Sequence, residues 1–168
     1  MAIASGDVHK AINTVWDASA LNATFQALWD SSVTPAEFPV LHDQEGGPDQ
    51  PWPYCVYEVS SSSTTDRMSW SGSVIREVRN VLFNFHVYAR QVSGDSRTAK
   101  EIANYLAEEV MKIYGGHPTV AATSLASSLD NTGFLISQYQ NDFGIRQGDT
   151  EYRWDVQYIF KVDVAIAI

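Results

Sequence analysis

The clearest pattern in the chain is a strict alternation of apolar and polar residues near its C-terminal end. Every second residue from Tyr152 to Ile166 is apolar, while Arg153, Asp155 and Gln157 occupy the opposite face. A period of two predicts a half-buried β-strand. Such a strand would extend about 50 Å at about 3.3 Å per residue, which exceeds what a small domain needs. We therefore expect it to bend or to reach a neighbouring subunit.

Other segments also have strand character. Residues 54–59 and 74–90 are rich in β-branched and aromatic residues, and residues 132–143 predict the strand that precedes the last one. Residues 144–149 predict the turn between these two, with its bend at Gly148-Asp149. The pattern thus favours antiparallel hairpins over 54–90 and 132–166.

The polar run at residues 60–65 interrupts the first of these hairpins. Its Ser and Thr residues predict a solvated loop or hairpin tip, and the alternative is a contact loop that orders on assembly. Residues 68–71 then predict a short strand.

Helical spacing occurs twice. Apolar residues recur at intervals of three and four over residues 8–29, with a break near 17–19, and again over residues 99–113. Asp7, Ser19 and Asp95 are the expected N-caps of the three segments. Gly115-Gly116 predicts the left-handed stop of the last helix.

Two stretches carry no clear period. Five of the six prolines lie in residues 31–53, which predicts an extended connector. Residues 117–131 are small and ambiguous. The resulting order, α-α-β-(β)-β-α-β-β, predicts an α+β fold with a mixed or antiparallel sheet packed by helices on one face. We expect a single domain over residues 1–168.

Composition narrows the function. The formal net charge is −9 and the isoelectric point is about 4.7, which disfavours a duplex-DNA binder and attraction to an anionic membrane. No apolar stretch approaches the roughly 20 residues of a membrane span, and the N-terminus does not resemble a signal peptide. A lone cysteine, Cys55, excludes an intrachain disulfide and a cysteine-based zinc cluster.

The search for catalytic chemistry yields no motif. The four histidines (His9, His42, His86 and His117) lack ligand spacing, and His86 is expected on the polar face of a strand. Cys55 is interpreted as a small buried hydrophobe. Phosphate-binding glycine loops and a nucleophile elbow do not occur. We therefore predict no enzyme activity, no cofactor and no metal.

Charges concentrate around the last turn. Four carboxylates stand among two arginines there: Asp142, Asp149, Glu151 and Asp155, with Arg146 and Arg153. A cation site is one interpretation, and a solvated hairpin of mixed charge is the favoured one.

Aromatic residues exceed what a small core readily hides. The set comprises Trp52, Trp70, Tyr139, Tyr152 and Trp154. Most are expected in the core, but aromatic residues are also enriched at protein interfaces. This favours a protein that works by docking to other proteins.

Several segments, in their order along the chain, carry a family resemblance. They are the helical region from Trp16 to Trp29, Phe38-Pro39-Val40-Leu41, Pro53-Tyr54-Cys55-Val56-Tyr57-Glu58, Arg79-Asn80-Val81-Leu82-Phe83-Asn84-Phe85-His86-Val87-Tyr88, Gly115-Gly116-His117-Pro118 and Glu151-Tyr152-Arg153-Trp154-Asp155-Val156-Gln157-Tyr158. Together they resemble the tail terminator (tail completion) proteins of long-tailed bacteriophages, over nearly the whole chain.

The resemblance implies a virion protein, made in the host cytoplasm, that forms a homo-hexameric ring. Such a ring caps the tail tube protein, stops its polymerisation and offers its other face to the head connector. DNA would pass without specific binding, and no membrane is involved. Alternatives are another neck protein, such as a head-closure stopper or adaptor, and less favoured, a small-ligand-binding domain or enzyme.

The resemblance also implies which residues would contact other subunits or the tube, and which would line the bore. The last strand and the 60–73 hairpin are expected to carry contacts between subunits or with the tube. The interaction residues expected there are Arg67, Trp70, Asp149, Glu151 and Arg153. An acidic bore that repels phosphate is expected at Asp142, Asp149 and Glu151.

Overall fold

A computed structural model describes residues 4–43, 46–47, 49–71, 74–115 and 132–167. Within the long strands, side chains are described for residues 54–59, 80–90, 139–146 and 151–159. The described residues form three α-helices and five strands. In chain order they are α1 (Ala4–Asp17), α2 (Leu21–Gln26), a 3-10 turn (Pro35–Glu37), β1 (Leu41–His42), β2 (Tyr54–Ser71), β3 (Val74–Arg90), α3 (Ala99–Tyr114), β4 (Thr132–Arg146) and β5 (Glu151–Ala167).

All five strands belong to one sheet, ordered β1-β2-β3-β5-β4. The predicted hairpins β2–β3 and β4–β5 are both antiparallel, and β3 also pairs antiparallel with β5. Only β1 runs parallel to its neighbour, through Leu41 opposite Cys55 and His42 opposite Val56. The predicted α+β fold is confirmed, and of the two expected sheet types, mixed and antiparallel, the sheet is mixed. The sequence pattern missed β1 inside the expected connector because two residues are too few to show a period.

The helices pack on one face of the sheet and enclose an aromatic core. Phe85 of β3 lies at its centre, with its ring centroid 4.6 Å from that of Tyr114 in α3 and 6.3 Å from that of Trp16 in α1. The Tyr114 hydroxyl donates to the carbonyl of Ile12, 2.7 Å away, which ties α3 to α1. Burial raises the pKa of Tyr114, so its hydroxyl stays protonated and available as a donor.

The helix ends differ from the expected caps. Asp7 lies inside α1, which already begins at Ala4. The hydroxyl of Ser19 accepts from the Leu21 N–H, although the N-cap position of α2 is Ala20. Thr98, not Asp95, caps α3, through a capping box with Glu101. Asp95 is instead paired with Arg97, whose hydrogen bonds lower the Asp95 pKa to about 2.

The C-terminal end of α3 lies beside Tyr158 of β5 and Phe83 of β3, partway along the sheet. The Tyr158 hydroxyl donates to the carbonyl of Gly115, and Tyr158 stacks on Phe83 with centroids 4.7 Å apart. Gly115 has φ 112° and ψ 172°, a positive φ outside the left-handed helical region expected there. Sixteen helical residues cover about 24 Å, which matches the path of β3 from Arg90 to Phe83. α3 therefore lies along the first half of the sheet.

All four long strands continue beyond the end of α3. We call this part the distal sheet: residues 60–71, 74–82, 132–138 and 159–167. Along β3 it extends about 30 Å past the end of α3. The loop or hairpin tip expected at residues 60–65 is wrong, because β2 runs through them as strand. Backbone pairing with β3 determines the conformation there, and the polar side chains do not prevent it.

The last turn is shorter than expected. Gly144 belongs to β4 and pairs with Trp154, so the turn is confined to residues 147–150. A Cβ at Gly144 would lie 2.5 Å from the Tyr152 ring and 2.8 Å from the Trp154 ring. The glycine therefore lets both rings approach the strand.

Candidate functional site

The sheet face without helices carries the polar side chains of the described part of β3. Residues 82, 84, 86 and 88 of β3 point there, because their neighbours 83, 85 and 87 are in the core. Cross-strand register places three complete rows of described side chains on it, and Leu82 and Ile159 follow next on β3 and β5. In the order β2, β3, β5, β4 the rows are Tyr54-Tyr88-Arg153-Ile145, Val56-His86-Asp155-Phe143 and Glu58-Asn84-Gln157-Asn141. We call this surface the helix-free face.

A buried carboxylate lies at the centre of the helix-free face. Asp155 is 3% exposed, and its Oδ1 is 2.8 Å from Nδ1 of His86 and 2.9 Å from Nε of Arg153. Nη2 of Arg153 donates to Oδ2 at 2.9 Å. The predicted solvated hairpin is therefore wrong for Asp155. His86 on β3 and Arg153 on β5 lie within ion-pair distance of this carboxylate and offset the energetic cost of burying it.

A second carboxylate approaches the same imidazole from β2. Oε2 of Glu58 is 3.5 Å from Nε2 of His86, and the Glu58 side chain is 67% exposed. Burial alone would lower the pKa of His86, but the hydrogen bond and charge of Asp155, together with Glu58, outweigh it and raise that pKa above the ordinary value. The predicted place of His86 on the polar face is confirmed.

An aromatic and cationic stack borders this cluster. Tyr54 and Tyr88 stack with centroids 4.9 Å apart, and Trp52 meets both rings edge to face. The Arg90 guanidinium lies 4.1 Å above the Trp52 ring and donates twice to Oε1 of Glu151, at 2.7 and 3.0 Å. Glu151 is therefore bound to β3 and is not a free carboxylate of the last turn.

The remaining rows form a neutral, partly apolar surface. Amide side chains of Asn84, Asn141 and Gln157 line a depression of about 410 Å³ beside Leu82 and Ile159. Leu82 is 39% exposed. Phe143, in the row of Asp155, is also 39% exposed. Amide groups offer donors and acceptors without charge, so this part of the face suits contact with another protein surface.

The predicted acidic cluster is divided by the structure. Asp142 accepts hydrogen bonds from the Tyr139 hydroxyl and from Nε1 of Trp154 at 2.8 Å. Burial and the Asp142 carboxylate raise the pKa of Tyr139 to about 12. Asp149, by contrast, is 98% exposed in the turn and pairs with Arg146 at 2.7 Å. Each carboxylate has its own partners, which argues against a shared cation site.

Of the five expected interaction residues, three are described in full: Asp149, Glu151 and Arg153. Arg153 and Glu151 lie on or beside the helix-free face, and Asp149 at the tip of the β4–β5 turn. The side chains of Arg67 and Trp70 lie outside the described residues. Sequence reasoning missed His86, Glu58 and Asp155 as a cluster, because only cross-strand register brings them together.

Neither metal binding nor thiol chemistry finds support in the described residues. No group of three or more His, Cys, Asp or Glu side chains in them could hold a metal ion. Cys55 is buried, as expected, and burial raises the pKa of its thiol well above the ordinary value. An open groove of about 610 Å³ runs beside Trp29, Trp52 and Arg90, but the indole N–H of Trp29 is already bound to the carbonyl of Pro53.

The two outer edges of the sheet are the other prominent feature. Among the described strands, β4 is at an edge along all of Thr132–Arg146. On the opposite side, β1 covers only Cys55 and Val56 of β2, so within the described residues no strand pairs with the outer side of β2 from Tyr57 to Ser71. Both edge strands contain register shifts, whereas β3 and β5 pair without one. Bulges of this kind limit indiscriminate edge pairing.

Comparisons with known proteins add no assignment, since neither a protein-family model nor a curated protein matches the chain. Across the residues that the structure describes, no helix has the length and apolar character needed to cross a membrane.

Proposed function

We propose that this protein is a structural subunit of a bacteriophage virion, namely a tail terminator that forms a ring on the end of the tail tube. The proposal joins the family resemblance to one structural observation: within the described residues, two long strand edges on opposite sides of a single sheet pair with no further strand. A ring needs a heterologous interface, in which two different surfaces of each subunit meet. Open edges at β2 and β4 supply such a pair of surfaces.

The two edges have matching dimensions. β4 spans Thr132–Arg146 and the open side of β2 runs from Tyr57 to Ser71, each about 50 Å long. Pairing of one subunit's β4 with the next subunit's β2 would satisfy the backbone groups of both. The register shifts in both strands interrupt the edges, which limits uncontrolled sheet growth.

In this ring the tail tube protein binds one face and the head connector the other. DNA passes through the bore without specific binding, because the net charge of −9 repels phosphate. Asp149, exposed at its turn, remains the best candidate for the bore. Asp142 and Glu151 are weaker ones, since each is already bound within the subunit. We place the protein in the tail or neck of the virion and assign it no enzyme activity.

Electron microscopy of the purified protein, alone and mixed with polymerised tail tubes, tests the proposal. We expect six-fold rings, or caps on tube ends that stop further growth. Deleting the gene from the phage should give overlong tails without heads. Normal-length tails beside DNA-filled heads would instead favour a stopper or adaptor, and a protein that binds no tube in any condition would refute the ring.

Proline substitutions test the edges separately. Thr65 and Gln140 sit at register shifts and have no partner residue on β3 or β5. We therefore expect proline at either position to remove an N–H without breaking a cross-strand pair within the subunit. Thr65→Pro and Gln140→Pro should keep the fold but lose the ring, while Thr65→Ala and Gln140→Ala, which retain the N–H, should assemble normally. Rings from both proline variants would exclude edge pairing.

A further inference from the structure

The helix-free face contains a chain of four charged or titratable groups that crosses three strands. Glu58 on β2, His86 on β3, and Asp155 and Arg153 on β5 follow one another at 3.5, 2.8 and 2.9 Å. Val56 of β2 and Phe143 of β4, the other neighbours in that row, carry no charge. These are the charged groups that face His86 from the strands around it.

The geometry of the imidazole indicates its protonation state. Nδ1 must carry a proton, because a carboxylate only accepts hydrogen bonds and Oδ1 of Asp155 is 2.8 Å away. In a neutral imidazole Nε2 would then present a lone pair to Oε2 of Glu58 at 3.5 Å, so two acceptors would face each other. Both contacts are favourable only when both ring nitrogens are protonated.

The charge balance leads to the same conclusion. Glu58 and Asp155 carry two negative charges and Arg153 one positive charge, so a protonated His86 makes the group neutral. Without that proton a net negative charge remains beside the buried Asp155. Glu58 is exposed and can turn to solvent, whereas Asp155 is buried and cannot.

We propose that these four residues form a proton-dependent clamp, in which doubly protonated His86 links Glu58 of β2 to Asp155 of β5 and loss of one proton releases Glu58. The clamp lies where the open edge of β2 begins, one residue after Tyr57. It would therefore fix the root of that edge at acidic pH and loosen it at alkaline pH. This inference concerns the isolated subunit and stands whether or not the ring exists.

The sign of the pH dependence follows from linkage. Because the pKa of folded His86 is raised above its unfolded value, the clamp stabilises the fold fully below about pH 6.5. This stabilisation is lost as the pH rises through the pKa of the folded state.

Nuclear magnetic resonance of the His86 ring protons over pH 5–9 tests the clamp. We expect a wild-type titration midpoint above the ordinary value for histidine, a lower midpoint in Glu58→Gln, and no change in the control Glu37→Gln, which alters an exposed carboxylate outside the sheet. The stability lost in Glu58→Gln, measured by urea unfolding, should be larger at pH 5.5 than at pH 8.5. An unshifted wild-type midpoint, or one that Glu58→Gln leaves unchanged, would overturn the proposal.

Discussion

The two faces of the same strands are stabilised in different ways. On one face, Phe83 and Phe85 pack with aromatic rings from β5, α1 and α3. On the other face, the alternating residues Asn84 and His86 lie among polar groups. Burial of apolar area is insensitive to pH, whereas the ionic cluster depends on protonation. One alternating sequence therefore supplies a constant core and a surface whose charge can change.

The largest effect should come from the core face. Phe85→Ala removes the ring shared by α1, α3 and β3, and we expect a loss of about 3–5 kcal/mol in the free energy of unfolding. Urea unfolding followed by circular dichroism measures it. Leu82→Ala, on the exposed side of the same strand, is the control and should cost much less. Equal losses would mean that the two faces do not differ as described.

A smaller but substantial loss is expected on the helix-free face. Asp155→Asn leaves Arg153 and His86 without their buried carboxylate, which should cost about 2–4 kcal/mol. Asp149→Asn, at an exposed turn carboxylate, serves as the matched control and should change stability by less than about 0.5 kcal/mol. If Asp155→Asn were as neutral as its control, the buried cluster would not support the fold.

A single polar contact on the core face ranks next. Tyr114→Phe deletes the hydroxyl that donates to Ile12 and leaves that carbonyl without this donor, so we expect a loss of about 1–2 kcal/mol. The change should not vary between pH 5.5 and 8.5, unlike that of Glu58→Gln. Thermal unfolding at both pH values gives the comparison, and a pH-dependent loss would contradict the assignment.

The smallest of these effects concerns the helix that covers the core. Thr98→Ala removes the capping box of α3 and should cost about 1 kcal/mol. Ser96→Ala, two residues earlier and outside the cap, is expected to be neutral. A larger loss from Ser96→Ala than from Thr98→Ala would show that the helix begins elsewhere.

The sequence by itself determined the elements with a sustained period. β5 and β3 were predictable because alternation over many residues has no other simple interpretation, and α3 because its apolar stripe spans four turns. The N-cap of α3 could not be predicted from the sequence. Asp95 and Thr98 are both good caps in isolation, and only the observed helix bounds distinguish them. The strand through residues 60–65 could not be predicted either, because pairing with β3 sets its conformation.

The tertiary structure alone decided the candidate site. Glu58, His86 and Asp155 are far apart in the chain, and antiparallel register brings them to adjacent strands of one face. The sequence placed Asp155 correctly on the polar face but could not show that this face buries it. Burial depends on neighbouring strands and on the side chains they bring, whereas alternation along one strand records only which side a residue points to.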